Sequence, residues 1–283
     1  MSFMTADPSI STVSALPAAV TEKTSTLPVI SLLGVTFHAL SMNDTMDVLE
    51  TFIREQRPRQ VCLSNAYTVA LCQKDLELKS VLNKADLVLA DGMSIIWGGR
   101  WIGAQVPERI AGPDLMYEFS LLAATKGYRI YLMGSTEATL QKLKEQLLTL
   151  CPGIQIAGTY SPAMCEKLSE KENLNILEAI RSANAHILFV GMSCPKQEIW
   201  ISENLHRLPV PVSLGVGAAF DFLSGNVPRA PDWLRKNGLE WLYRLYCEPR
   251  RLWRRYLLGN AVFLAALAKA SLFQPRDPHS IKK

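Results

Sequence analysis

Short runs of apolar, largely β-branched residues alternate along this chain with longer amphipathic stretches of helical period. The apolar runs are 60–63, 87–89, 129–133, 154–158, 186–190 and 212–216. Runs this short, separated by helices, are typical of a mostly parallel sheet whose connecting helices cover both faces. The sequence therefore predicts an α/β fold with a mostly parallel open sheet, helices on both faces, and a helical basic and aromatic C-terminal appendage.

Capping residues mark where several helices begin. Ser41 with Asp44 three residues later resembles a capping box, and Ser135 predicts the start of a second helix. A third helix is predicted over about residues 166–182. Its predicted buried stripe consists of Leu174, Leu177 and Ile180.

Composition divides the chain into three segments. Residues 1–28 are rich in Ser, Thr, Pro and Ala without periodicity, so we expect a disordered leader. Residues 29–231 hold the alternating pattern and form the predicted α/β catalytic domain. Residues 232–283 form the predicted membrane-associating helical appendage.

Positive charge is concentrated near the start of the appendage. The whole chain carries a formal charge of only +4, whereas residues 229–256 carry +5 and the remainder −1. A near-neutral body excludes a protein built to grip nucleic acid over its whole surface. The basic segment is also rich in Trp and Tyr, which favours three roles: contact with a membrane surface, packing on the core with solvated arginines, or cover for a diphosphate.

Targeting signals and cysteine spacing favour a protein that stays in the cytoplasm. The first 28 residues lack the basic and apolar regions of a secretory signal, and no stretch of about 20 residues is apolar enough to span a bilayer. The six cysteines are scattered, without a CxxC pair or a Cys/His cluster, which favours buried reduced thiols. We therefore expect peripheral attachment to the inner face of the plasma membrane.

Polar residues follow the first two predicted strands of the sheet. In open α/β sheets, ligands bind beyond the carboxyl ends of the strands. Asp91, with Gly92 beside it, could act there as a general base of raised pKa, or could cap the next helix. Asn65 could contact sugar hydroxyls, or could be a turn residue of left-handed geometry.

Arg109 lies in a loop flanked by Pro and Gly. A guanidinium in such a loop could hold a diphosphate through paired hydrogen bonds. The alternative is an ion pair with Glu108 or Asp114.

The loops after the later strands supply the remaining candidate substrate contacts. Pro195 suits a first helical turn, and the N-terminus of a helix attracts anions. The polar residues that follow Pro195 are therefore candidates for binding a phosphorylated or hydroxylated ligand. The alternative is that they cap the helix without a ligand. The candidates in these loops are Gly134, Ser135, Lys196, Gln197, Glu198, Gly215 and Gly217.

Three other classes of enzyme lack their signatures. The glycine pattern beginning at Gly215 has Phe220 in place of the third glycine of a dinucleotide-binding fingerprint. Gly191 begins a pattern without the closing glycine of a hydrolase nucleophile elbow. No two aspartates are separated by a single residue, so no carboxylate-held divalent metal is signalled, and no cofactor is expected.

Taken together, these motifs resemble the WecG/TagA/CpsF family of bacterial glycosyltransferases from about residue 30 to residue 258. The matching segments are 65–66, 85–92, 107–115, 195–200, 215–222, 229–231, 239–241 and 248–251. One departure concerns the first motif, where the family often has Thr two residues before the Asn and this chain has Leu63. A hydroxyl contact to donor or acceptor is therefore missing or shifted.

The resemblance implies an inverting, metal-independent transfer from a UDP-sugar to an undecaprenyl-diphosphate-linked sugar at the cytoplasmic membrane face. It implies Asp91 as base, Asn65 and Gln197 as sugar or nucleotide contacts, and Arg109 near the phosphates. It also implies that arginines of the appendage close over the site. Without a metal, Arg109 and one or more further arginines must offset the charge on the departing diphosphate. The further candidates are Arg229, near the end of the catalytic domain, and Arg244, Arg250 and Arg251 of the appendage.

We therefore predict a glycosyltransferase of surface-polysaccharide synthesis that transfers a hexose, N-acetylhexosamine or uronic acid derivative. The rival is a non-catalytic adaptor at the membrane surface whose crevice binds a nucleotide-sugar as a signal. The sequence leaves open a homo-oligomer in which a neighbouring subunit completes the crevice.

Overall fold

The computed structural model describes residues 27–163 and 168–273 of the chain, apart from the side chains of Lys236, Leu272 and Phe273. Its strands are β1 (Val29–Leu32), β2 (Val35–His38), β3 (Arg59–Ser64), β4 (Leu87–Ala90), β5 (Arg129–Gly134), β6 (Gln155–Tyr160), β7 (Ile187–Gly191) and β8 (Val212–Gly215). The last six of these correspond to the six predicted strands, which are confirmed. The leader predicted over residues 1–28 lies outside the described residues up to position 26.

Six parallel strands form the central sheet in the order β4-β3-β8-β7-β5-β6. Strands β3, β4, β7 and β8 are buried almost throughout, as expected for strands covered on both faces. From β3 the chain first moves to β4 at one edge and then fills the other side with β5 to β8. A change of direction of this kind opens a crevice beyond the carboxyl ends of the strands.

Helices cover both faces of the sheet, which confirms the predicted fold class. They are α1 (Met42–Glu55), α2 (Ala66–Leu71), α3 (Leu76–Lys84), α4 (Met93–Trp101), α5 (Gly112–Lys126), α6 (Glu137–Leu150), α7 (Glu170–Ala183), α8 (Lys196–Asn204), α9 (Ala219–Leu223), α10 (Asp232–Lys236), α11 (Glu240–Cys247), α12 (Pro249–Trp253) and α13 (Gly259–Phe273). A 3-10 turn (Leu205–Arg207) follows α8, and a π-helical segment (Arg254–Leu258) joins α12 to α13. One core cluster lies between the sheet and α1, α5 and α6, and two others lie beneath α2 to α4 and beneath α7 and α8.

The predicted helix starts differ in detail from the observed ones. The capping box at Ser41 is confirmed: its hydroxyl accepts from the Asp44 N–H at 3.2 Å. The cap of α6 is Thr136, because the neighbouring Ser135 takes a left-handed φ of +55°. Helix α7 begins at Glu170 rather than near 166, and residues 164–167 lie outside the described part of the chain.

The buried stripe predicted for α7 is wrong at one position. Leu177 and Ile180 are buried, but Leu174 is 49% exposed and Ile176 takes its place in the core. The prediction failed because apolar residues three apart fit more than one stripe of a helix, and only the packing decides which stripe is buried.

An antiparallel hairpin of β1 and β2 precedes the sheet and was not predicted. It packs in the same core cluster as α13, to which α13 contributes Phe263 and Leu267. The appendage therefore shares a hydrophobic core with the α/β domain, while the boundary at 231/232 stays a prediction. Among the residues described, no helix combines the length and the apolar character needed to cross a bilayer. The predicted appendage from residue 274 onward lies outside the described residues.

Candidate active site

A cleft of about 1900 Å³ opens at the carboxyl ends of the strands, between the loops that follow them and the helices of the appendage. Pockets for single small ligands are usually smaller, so this volume suits two substrates at once. The predicted site residues that line the cleft are Asn65, Asp91, Gly92, Arg109, Ser135, Lys196, Gln197, Glu198, Gly215, Gly217, Arg244 and Arg251. Those that do not line it are Gly134, Arg229 and Arg250.

Asp91 is partly buried where β4 enters the cleft, and its N–H donates to the Ser64 carbonyl of β3 at 2.9 Å. Gly92, not Asp91, occupies the N-cap position of α4, and no side chain caps that helix. The alternative that Asp91 is a helix cap is therefore wrong. Its carboxylate faces the cleft, where it is placed to receive a proton.

The surroundings of Asp91 make it an unusually strong base for a carboxylate. The pKa of the Asp91 carboxyl is raised to about 6, chiefly by burial and in smaller part by the neighbouring carboxylate of Glu240. Three guanidinium groups oppose this rise in the pKa, namely those of Arg109, Arg255 and Arg244. A pKa near 6 leaves the group mostly ionised at neutral pH and still basic enough to accept a proton.

Asn65 caps helix α2 beside Asp91. Its Oδ1 accepts hydrogen bonds from the N–H groups of Tyr67 (3.1 Å) and Thr68 (3.4 Å), and its φ of −124° is extended. The alternative of a left-handed turn residue is therefore wrong. Because the cap uses Oδ1, the amide Nδ2 is the atom that can donate to a sugar oxygen. The predicted substrate contact stays a prediction.

Arg109 is held by two carboxylates on different elements. Its Nη1 donates to Glu240 Oε2 at 2.8 Å, and its Nη2 lies 3.8 Å from Asp114 Oδ2. The ion pair predicted with Asp114 is thus present, whereas Glu108 instead accepts from the Met42 N–H at the start of α1. Arg109 still lines the cleft, with 17% of its side chain exposed.

The ion pairs around Arg109 extend to the start of the appendage. Arg229 pairs with Asp114 at 2.6 Å and approaches Glu240 at 3.7 Å, and Arg235 lies 3.6 Å from Asp114. Arg229, a predicted substrate contact, is therefore part of the network that holds the appendage on the domain.

Two arginines of the appendage line the cleft and lower the pKa of Asp91 by their charge. Arg244 stacks on the Phe222 ring at 4.9 Å, and Arg255 stacks on the Tyr67 ring at 5.0 Å. In the described part of the chain, the Nε atoms of both are buried without a hydrogen-bond partner. Arg255 was not among the predicted site residues; its only signal was its place in the basic aromatic segment. Arg251 lines the cleft and pairs with Glu248, whereas Arg250 is exposed outside it.

Gln197 uses both polar atoms of its amide within the protein, and Glu198 uses one of its two carboxylate oxygens. Gln197 Oε1 accepts from the Gly217 N–H at 3.0 Å, and Gln197 Nε2 donates to Glu198 Oε1 at 2.8 Å. Both side chains are buried, and burial raises the pKa of the Glu198 carboxyl. A Cβ on Gly215 would lie 2.8 Å from Gln197 Nε2, so this glycine admits the amide. These residues shape the floor of the cleft, and their contact with substrate stays a prediction, as does that of the exposed Lys196.

Gly134 brings the ends of β5 and β7 together. Its φ is +122°, and a Cβ there would lie 2.6 Å from backbone atoms of Gly191. The next residue, Ser135, donates its N–H to the Gly191 carbonyl at 3.1 Å and lines the cleft. Gly134 therefore lies outside the lining of the cleft and positions Ser135, which is part of that lining.

Comparison with known proteins gives a consistent set of similarities. The sequence-family model described as "Glycosyl transferase WecG/TagA/CpsF family" matches residues 30–277 of this chain. The N-acetylglucosaminyldiphosphoundecaprenol N-acetyl-beta-D-mannosaminyltransferase of Bacillus subtilis (strain 168) is 34% identical over 184 residues, which cover 65% of this chain and 69% of the relative. The protein of the same name from Staphylococcus aureus (strain NCTC 8325) is 26% identical over 251 residues, covering 88% of this chain and 96% of the relative.

Proposed function

The chain belongs to the WecG/TagA/CpsF family of glycosyltransferases, and on this basis we propose that it transfers a sugar from a UDP-sugar to a polyprenyl-diphosphate-linked sugar, with inversion. The names of the relatives describe transfer of N-acetylmannosamine to such a lipid-linked acceptor. The observation that carries the proposal is the position of Asp91, a carboxylate of raised pKa that faces three guanidinium groups across a cleft large enough for two substrates.

The reaction proposed is a single displacement. An acceptor hydroxyl gives its proton to the Asp91 carboxylate while its oxygen bonds to the anomeric carbon of the donor. The bond from that carbon to the diphosphate breaks on the opposite face, and its electron pair leaves with UDP. Attack opposite the leaving group inverts the anomeric centre, and Asp91 then returns its proton to water.

The charge that develops on the departing diphosphate is met by arginines. Arg109, Arg244 and Arg255 surround the cleft near Asp91, and Arg251 lies farther along its lining. Guanidinium groups bind phosphate oxygens in pairs and are fixed in place before the reaction, so they stabilise developing charge without reorganisation. This arrangement supports a transfer that needs no metal ion.

We also propose that the protein attaches to the cytoplasmic membrane surface, which the proposed acceptor and the surface of the appendage support. The large apolar and aromatic side chains exposed on the described part of the appendage are Trp233, Leu242, Tyr246, Trp253, Leu257, Leu258, Val262 and Leu264. Arg250 and Arg254 are exposed among them. Aromatic anchors mixed with cations bind an anionic bilayer surface, and such binding would bring the cleft to its lipid-linked substrate.

The proposal is tested by product analysis. We would incubate the purified chain with a panel of UDP-sugars, beginning with UDP-N-acetylmannosamine, and a short-chain prenyl-diphosphate sugar as acceptor. Mass and anomeric coupling constant identify the product. We expect one donor to give an inverted disaccharide with release of one UDP per transfer. Binding of UDP-sugars without UDP release on addition of acceptor would refute the enzyme and favour the adaptor.

A further inference from the structure

Glu240 links the appendage to the catalytic domain in the part of the cleft that holds Arg109 and Asp91. It is the first residue of α11, and only 13% of its side chain is exposed. Its Oε2 accepts from Arg109 Nη1 at 2.8 Å, and its Oε1 lies 3.7 Å from Arg229 Nε. A buried carboxylate is held in this way only when cations offset the cost of its burial.

Asp91 lies among cations without forming an ion pair with any of them. Within the described residues, no Lys, Arg or His nitrogen approaches its carboxylate to within 4.0 Å. Arg109, the cation with the largest effect on Asp91, is turned instead toward Glu240. This geometry matters because an arginine bound directly to Asp91 would occupy the lone pairs that must receive the acceptor proton.

We infer that Glu240 is a positioning residue for the transfer, whose carboxylate holds Arg109 away from Asp91 and so keeps Asp91 free to act as base. The inference rests on the proposed function and adds a residue of the appendage to it. Because Glu240 belongs to the appendage, the base is released from Arg109 only when α11 is docked on the domain. The appendage thereby contributes to proton transfer as well as to phosphate binding.

The charges that face Asp91 give this role a measurable consequence. Three elements place titratable groups around Asp91. The loop before α5 contributes Arg109, and α11 contributes Glu240 and Arg244. The π-helical segment contributes Arg255 and the phenol of Tyr256. Glu240 supplies the negative charge in this set. Its removal leaves every neighbouring charge positive and frees Arg109 to approach Asp91, so the pKa of Asp91 must fall.

The experiment compares pH–rate profiles of three variants with that of the full-length protein. Glu240→Gln removes the charge with little change of shape. Glu240→Asp keeps the charge on a shorter side chain. Asp114→Asn is the matched comparator, because Asp114 pairs with Arg229 and Arg235 and borders Arg109, yet the largest charge effects on Asp91 come from other residues.

For Glu240→Gln, we expect kcat to fall roughly tenfold with little change in KM. We also expect the acidic midpoint of kcat/KM, which reports the free enzyme and should lie near pH 6 in the unaltered protein, to move down by roughly one pH unit. Asp114→Asn should lower the melting temperature and leave that midpoint in place. Glu240→Asp should recover part of both the rate and the midpoint.

Three results would overturn the inference. The first is an acidic midpoint of the pH–rate profile that does not shift in Glu240→Gln. The second is an equal shift of that midpoint in Asp114→Asn. The third applies if Glu240→Gln does not fold or turn over, and it is a Glu240→Asp variant that is slow but has an unshifted midpoint. Transfer by the unaltered protein is measured first, so its absence would refute the proposed function itself. Normal transfer combined with any of the three results refutes only the role of Glu240.

Discussion

Replacing Asp91 by Asn should make the protein more stable and nearly inactive at the same time. The carboxyl group is partly buried and its pKa is raised to about 6 from an ordinary value of 3.8, mainly because burial disfavours the charged form. An amide of the same size has no charge to bury. It also cannot accept the proton of the acceptor, so the same substitution removes the proposed base.

The size of the stability gain follows from the two pKa values. Each factor of ten in proton affinity corresponds to about 1.4 kcal/mol, so the rise from 3.8 to about 6 disfavours the folded state by at most about 3 kcal/mol. Since the folded-state pKa is the higher one, this cost is absent below pH 4, grows as the pH rises toward 6, and is complete above it. The asparagine variant should therefore gain stability at pH 8 and gain almost none at pH 4.

Urea unfolding at the two pH values, followed by circular dichroism, measures the gain, and UDP release measures the activity. We expect the midpoint of the variant to lie above that of the unaltered protein at pH 8 and to coincide with it at pH 4, with turnover reduced by about 10² to 10⁴. A variant that is less stable at pH 8, or equally stabilised at both pH values, would refute the argument from burial. Near-normal turnover would remove Asp91 as the base.

Three further predictions test other parts of the site. Gly134→Ala, whose Cβ would meet backbone at 2.6 Å, should lower the free energy of unfolding by roughly 3 kcal/mol or more in urea titrations, whereas Gly103→Ala, with open space around it, should cost only about 1 kcal/mol. Arg255→Gln should lower kcat by roughly 10²-fold and move the acidic midpoint of the pH–rate profile upward, because a cation that lowers the pKa of the base is lost; a downward movement would contradict this. Tyr246 is 84% exposed on the appendage, and Tyr246→Ser should reduce sedimentation of the protein with anionic vesicles. The control Leu174→Ser on α7 should leave sedimentation unchanged. Equal behaviour of the two variants would count against membrane contact through the appendage.

The central sheet and the location of the cleft could be predicted from the sequence because both depend on local patterns. Fully buried strands need continuous apolar runs, and the residues that follow such runs lie at the ligand-binding edge of a parallel sheet. Asp91 and Asn65 were found for this reason. The same reasoning could not show that the side-chain oxygen of Asn65 accepts the hydrogen bonds that cap α2, because capping depends on the φ of the residue as well as on its type.

The contacts between distant segments could not be predicted. Glu240 meets Arg109 across 131 positions of the sequence, and nothing local distinguishes it from a solvated carboxylate of an amphipathic helix. Gln197 and Glu198 line the cleft, and nothing local indicated that they also bond to each other and to the Gly217 backbone. Their partners are set by the approach of α8 to the end of β8, which no periodicity encodes.

The order in which the chain is synthesised has a consequence for when the enzyme can work. Asp91 and the whole sheet leave the ribosome before Arg244, Arg255 and Phe263, which complete one wall of the cleft. A nascent chain that has folded its sheet therefore holds the proposed base and Arg109, but not the arginines of the appendage that would help to stabilise the leaving group. Under the proposed function, sugar transfer therefore begins only after translation has passed α13.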